Sequence, residues 1–497
     1  MTESPPGSGD GDGDVTSILD TPHAGSRVIR GMGLRTGGYA VGVFLGIVSG
    51  AVAFRYLGVV DSGRLITVLA LVTIVGGLSD LGLSSIAVRE YATLTPVERD
   101  DAMRSILGLR IVLAAAGILM ATLFAAAANY PAVMVIGTLI AGSALLVSVV
   151  YQTLTVPLSA GLRLGWVTVL TLLGQFGIAV GFVALSLADS GLGAFYAVQP
   201  VALVPVLVLT FLLVRRAISI LPAWRIHTWW TTMRDILPYS VAVVFYVLYF
   251  RFALISVSLL SSEQETGYYA ASFRIIDVLT LIPPLLASSA FPLLARAARD
   301  DRQRLHHAIG RLSQAMLILG AWTAVALGLA APLAVAVVAG PEFEPAVEPL
   351  RIQAIALLGT SFLAVWGYGL LSLARHRAIM LANAVSVALA AALSIALVPP
   401  FGAVGAAVAL TAAELGLAAG YGLALKRSDP GFLRRLSVTP RILVAAGLAL
   451  AVPLALALGD IAAVLVASAV YAVALVALRA LPSELKSALL GRVNGAA

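Results

Sequence analysis

The chain has 497 residues, of which 60% are hydrophobic and only 11% charged, with a formal net charge of +7. A soluble domain carries roughly 25% charged residues and single cores stop growing near ~250–300 residues, so a water-soluble fold is excluded and an all-α, polytopic membrane protein is expected. Cysteine is absent, which rules out disulfides and thiolate metal sites; the five histidines give no support for a metal, and no cofactor is expected.

In chain order, residues 1–34 read as a disordered cytoplasmic tail, rich in Gly and Asp ("SPPGSGDGDGD") and without the basic start or cleavage site of a signal peptide. No Glu closes a 12-residue calcium loop there. Spanning helices need ~20 apolar residues, and about fourteen candidates follow. Six lie near 36–54, 65–87, 106–128, 132–154, 166–187 and 192–214. Six more lie near 238–260, 269–294, 312–338, 352–374, 378–398 and 403–425, and a last pair near 442–458 and 461–479.

The segment 215–237 is the longest loop; Trp224, Trp229 and Trp230 beside Arg225 predict an interfacial helix on the lipid headgroups. It divides an N-lobe (35–214) from a C-lobe (238–425). Residues 426–480 hold the extra pair and 481–497 a cytoplasmic tail. Six spans per half give a parallel pseudo-symmetry about the membrane normal. Gly63 and Gly267 sit at equivalent points, where the chain is expected to turn back into the bilayer.

Arginine clusters follow every second span, at Arg89 to Arg104, Arg215 to Arg234, Arg296 to Arg311 and Arg375 to Arg377. The opposite loops carry Glu263, Glu265, Glu342, Glu344 and Glu348. The alternation predicts both termini in the cytoplasm. The positive charge is then a topology signal, and with no basic soluble domain there is no nucleic-acid partner.

Several charges interrupt the spans. Arg251 lies about thirteen residues into its span, near mid-membrane at 1.5 Å per residue. A charge there costs at least ~2.5–3.5 kcal/mol, so it must face a wet cavity or a partner. No local acid offers itself. Arg274 and Asp277 are spaced i, i+3 and share a helix face. Two readings stand: Asp277 neutralises Arg274 and the pair fixes packing, or Arg251 and Arg274 line a cavity that binds an anion, with Asp277 orienting one of them. Arginine suits bidentate phosphate recognition. Tyr249 and its aromatic neighbours Tyr246, Phe250, Tyr268, Tyr269 and Phe273 either stack on sugar faces or simply pack. Glu414 and Asp80 are further intramembrane acids, candidates for cation coupling or for local structural roles.

The stretch "RYLGVVDSGRLITVLALVTIVGGLSDLGLSSIAVREYA" resembles the N-terminal signature of polysaccharide-exporting flippases, through Arg55, Leu57, Gly58, Gly63, Asp80-Leu81-Gly82 and Arg89. "YYAASFRIIDVLTLIPPLLASSAFPLLARAARDD" is similar to their eighth-span signature, and "GPEFEPAVEPLRIQAIA" and "PPFGAVGAAVALTAAE" to two later ones. The matches run from about residue 35 to 425, and the flippases they resemble belong to the multidrug, oligosaccharidyl-lipid and polysaccharide transporter superfamily. Ala253 stands where many relatives carry Asp, which leaves a coupling or pairing role there unsupported. The resemblance implies two pseudo-symmetric six-helix lobes in a V around a central cavity, plus two C-terminal helices. It implies alternating access that carries a polyprenyl-diphosphate-linked, anionic glycan across the cytoplasmic membrane. A glycan polymerase and glycosyltransferases are the candidate protein partners, and membrane lipid surrounds the tail.

A drug antiporter of the same superfamily would favour acids over arginines in the cavity. A membrane enzyme of glycan assembly would need larger outer loops, so no enzyme is expected. An inactive scaffold would tolerate loss of both Arg251 and Arg274.

Overall fold

The computed structural model describes residues 24–480 apart from 162, 216–220, 289, 430–431 and 433–435. Of the predicted tails, 1–34 and 481–497, residues 1–23 and 481–497 lie outside them; residues 24–34, expected to be disordered, are instead the start of the helix Ala24–Asp80. The described residues are helical throughout, without strands. Ten helices are long and apolar enough to cross a bilayer, and two shorter apolar helices join them.

Two of the long helices are hairpins. Helix α1 (Ala24–Asp80) contains Gly58 at φ 70°, and Gly402 sits at φ 53° within the segment His376–Lys426. Both are backbone conformations that a Cβ disfavours. Gly50 and Ile66 border one cavity, although sixteen residues of straight helix would part them by about 24 Å. Past Gly402, a Cβ on Gly405 would come 3.1 Å from the amide of Val398. Counting each hairpin as two spans gives fourteen crossings.

The sequence reading put a loop at 55–64 with Gly63 as its turn. The turn is instead the single residue Gly58, and the helix runs on through Gly63. Gly267 likewise lies inside α2 (Glu263–Leu279). Their equivalence has a different use. A Cβ on Gly63 would come 2.8 Å from the Gly267 amide, so the lobes touch backbone to backbone there.

The predicted interfacial helix is part of α3 (Ile226–Leu260), a continuous extension of span seven. It is tied to span three, α4 (Pro96–Ala127), where the Trp229 indole donates to the Ser105 carbonyl at 3.0 Å and Arg225 pairs with Asp101. Trp224 and Trp230 remain exposed. Span eight is broken: α2 ends at Leu279 and a second piece covers Ile282–Ser288. Pro283 and Pro284 fall in the first turn of that piece, where a missing N–H breaks no helical bond.

Each lobe forms a core, and the larger one also takes in Phe54, Leu71, Val75 and Ala121 of the first lobe. In the first, Leu65, Met134, Phe182, Phe195 and Tyr196 form a buried core. In the second, Tyr249, Tyr269, Phe273, Leu350, Trp366 and Leu410 do so. Spans thirteen (Thr439–Ala455) and fourteen (Asp460–Ala477) pack on span nine through Leu317, Ala321, Ile442, Ala467 and Tyr471. Leu119, Leu123, Ile136, Leu139 and Val201 are exposed on helix flanks, which suits hydrocarbon rather than water.

Candidate functional site

The helix ends near Arg89, Arg104, Arg225 and Arg296 form a basic end; those near Gly58, Glu263 and Glu342 form an acidic end. Between them the lobes meet along spans one and eight. On this seam Arg251 and Asp277, which sequence spacing did not pair, form an ion pair at 3.1 Å with both side chains largely buried. The Arg251 guanidinium lies 5.0 Å from the Phe273 ring centre and 5.7 Å from that of Phe250. Its charge is therefore met by a carboxylate and two ring faces. The reading in which Asp277 neutralises Arg274 is corrected: the neighbouring helix supplies Asp277's partner. The idea that Arg251 has no acid partner is corrected with it.

Arg274 is left without a carboxylate in ion-pair range among the described residues. It donates to the Gly46 carbonyl at 3.1 Å and lies over Gly46 and Gly50, where an added Cβ would make ordinary contact with it at 3.5 Å. It lines two cavities. One, of about 330 Å³, lies toward the basic end between spans one, five and eight, bordered by Tyr39, Thr168, Thr171, Gln175 and Asp277. The other, of about 180 Å³, lies deeper, under the acidic end, bordered by Ser49, Ser62, Gln175, Phe182 and Gln199. Arg274 and Gln175 border both.

Tyr249 does not line either cavity. It is fully buried, and its hydroxyl donates to Glu414. Glu414 also accepts from Thr360 at 2.6 Å and packs on Gly359. This carboxylate is buried in the second lobe and, among the described residues, is met only by hydroxyls. Asp80 is placed quite differently. It pairs at 2.8 Å with Arg110, a residue the span analysis passed over although it lies within the predicted span 106–128. Arg110 is 1% exposed and also donates to Thr153 at 3.1 Å, Gln152 at 3.0 Å and Ser84 at 3.2 Å. The signal was available: an arginine four residues into an apolar run needs a partner. The structure thus brings Arg251, Asp277 and Arg274 together and holds Tyr249 with Glu414 and Asp80 with Arg110 at two separate places.

The acidic end is bridged between lobes. Arg64 donates to both Glu263 oxygens at 2.9 Å and to Asp61 at 2.9 Å. Arg55 donates to the carbonyls of Ala336 (3.1 Å) and Val337 (2.8 Å). Phe54 meets Phe343 edge to face at 5.5 Å. Glu265, in the first turn of α2, accepts from the Ala403 amide at 2.7 Å and so caps the Gly402 hairpin.

Residues 52–348 match the family described as Polysaccharide biosynthesis protein. A search of curated proteins finds no match. Among solved structures, the fold matches the lipid II flippase MurJ in an inward closed conformation with a TM-score of 0.72, at 14% identity, over 89% of this chain and 97% of that one. An inward-facing multidrug resistance MATE family transporter of the MOP superfamily gives 0.59 at 14% identity, over 80% and 96%. A MOP superfamily transporter from Pyrococcus furiosus gives 0.55 at 13% identity, over 85% and 99%. At these identities the likeness is one of fold.

Proposed function

Because the chain belongs to the polysaccharide biosynthesis protein family, within the MOP superfamily of flippases and transporters, we propose that it flips a polyprenyl-diphosphate-linked oligosaccharide across the cytoplasmic membrane by alternating access. The observation that carries this reading is Arg274: an intramembrane guanidinium on the lobe seam with no carboxylate partner among the described residues, bordering both cavities. A diphosphate supplies the counter-charge and the paired acceptors that a guanidinium fork takes. Arg251 and Asp277 flank it as a neutral pair and orient Arg274 rather than bind the anion alone. The basic end faces the cytoplasm in this reading, as the arginine excess requires, and the polyprenyl tail stays in lipid. The bridges at the acidic end then close the outer face, and substrate enters from the inner leaflet. The family name supports a glycan precursor; two guanidiniums against one carboxylate at Arg251, Arg274 and Asp277 favour it over a drug cation.

Coupling is assigned to Glu414, whose negative charge, among the described residues, meets only the hydroxyls of Thr360 and Tyr249. A proton or small cation from outside would complete it, since a buried carboxylate without a cation is costly. Asp80, already paired, is the weaker coupling candidate.

The test is translocation of a labelled polyprenyl-diphosphate glycan in reconstituted vesicles. Arg274→Ala is expected to slow it by roughly tenfold to a hundredfold, the loss of one or two charged hydrogen bonds. Undiminished translocation by this variant would overturn the reading.

A further inference from the structure

The deeper seam cavity differs from its neighbour in what it offers a ligand. Among the described residues that line it, Arg274 is the only charged one. Gln175 and Gln199 border it from spans five and six, and neither amide has a hydrogen-bond partner within the described protein. The Ser62 hydroxyl is buried and unpartnered. Ser49 donates to the Gly46 carbonyl at 3.1 Å, which leaves its oxygen free to accept. Two amides and two hydroxyls thus converge, each with unused capacity. Ser62 is buried and the two glutamines are half-buried against the cavity, so the unused capacity is offered to a ligand rich in both donors and acceptors. Ile66, Leu69 and Ile178 also line it and add apolar surface beside the polar groups.

We propose that this cavity is a glycosyl subsite for an uncharged sugar, the residue attached directly to the diphosphate. Sugar hydroxyls act as donor and acceptor at once, which matches amides and serines; sugar C–H faces suit the aliphatic surface. The subsite rests on the function proposed above, in which Arg274 takes the diphosphate. That same assignment sets the charge rule. Once Arg274 is engaged, no second cation among the described lining residues can meet a carboxylate on the first sugar, and burying one unpaired is strongly unfavourable. Acidic sugars are accepted only further along the glycan.

The test uses the full chain in nanodiscs and three labelled probes: bare polyprenyl diphosphate, the same lipid carrying one neutral hexose, and the same lipid carrying one hexuronic acid. The hexose probe is expected to bind about tenfold tighter than the bare lipid, the gain of roughly two neutral hydrogen bonds. The hexuronate probe is expected to bind no tighter than the bare lipid. Gln199→Ala should sharply reduce the hexose advantage and leave the bare-lipid affinity unchanged, which also reports an intact fold. If that variant loses bare-lipid binding, Gln199→Asn, which keeps the amide and shortens its reach, should show a reduced hexose advantage at intact bare-lipid affinity. An equal preference for hexose and hexuronate, or a hexose advantage undiminished by loss or shortening of the Gln199 amide, overturns the subsite but leaves the flippase reading standing. Failure of every probe to bind, or binding indifferent to Arg274→Ala, overturns both.

Discussion

Two arginines teach opposite lessons about charge inside a membrane protein. Arg110, in the first lobe, is sealed from its surroundings and donates to Asp80, Ser84, Gln152 and Thr153. Arg274, on the seam between lobes, has one backbone carbonyl and a cavity on either side. Both interrupt apolar spans. What separates a structural guanidinium from one available to a ligand is not depth but how many of its donors are already used. Arg110 makes a knot; Arg274 is left with donors to spare.

The contrast can be broken most directly at Asp80. Replacing it with Ala strands the Arg110 charge, and removing one partner of a buried pair costs about 3–5 kcal/mol. Asp80→Ala is therefore expected to lower Tm strongly in detergent, the largest effect among these variants. Arg110→Leu should cost less, because the Asp80 side chain is 38% exposed and can be hydrated. If Asp80→Asn keeps its Tm but loses dependence on an ion gradient, Asp80 is a coupling group and the knot is misread.

Arg274 gives the converse. Arg274→Lys retains the charge but not the fork, so it should recover only part of the transport lost in Arg274→Ala, with Tm nearly constant for both. A fall in Tm comparable to that of Asp80→Ala would merge the two cases. Next in size comes Glu414→Gln, expected to flatten the response of transport to a proton or sodium gradient, measured in the same vesicles. The smallest effect belongs to the acidic end. Arg64 and Glu263 are partly exposed, and exposed pairs contribute up to about 1 kcal/mol. Glu263→Gln should raise the labelling rate of a Ser62→Cys reporter by up to about fivefold; the chain has no native cysteine to interfere.

Much of the fold was legible because hydrocarbon imposes it: twenty apolar residues make a span, and arginines mark one side. Gly58 was harder. A one-residue reversal leaves no polar loop, so Asp61, Gly63 and Arg64 looked like the crossing. At the site, Arg251 announced itself by its depth, but its partner did not. Asp277 lies on the next helix, and which of two arginines it meets depends on how spans seven and eight turn against each other. The i, i+3 rule correctly put Arg274 and Asp277 on one face, yet two helices compete for that carboxylate and Arg251 takes it. Tyr249 misled for a similar reason: composition shows an aromatic near a charge, not which way its hydroxyl points. Arg110 was readable as well: it lies four residues into the predicted span 106–128, where a guanidinium needs partners.

The hydrogen bond from the Ala403 amide to Glu265 ties spans eight and twelve. Glu265 begins the helix that carries Arg274 and Asp277, and Ala403 begins the one that carries Glu414 eleven residues on. A tilt of span eight must drag the top of span twelve with it or snap that link. In the transport cycle proposed above, cargo on the seam and a carboxylate buried in the second lobe would be joined by a short mechanical tether.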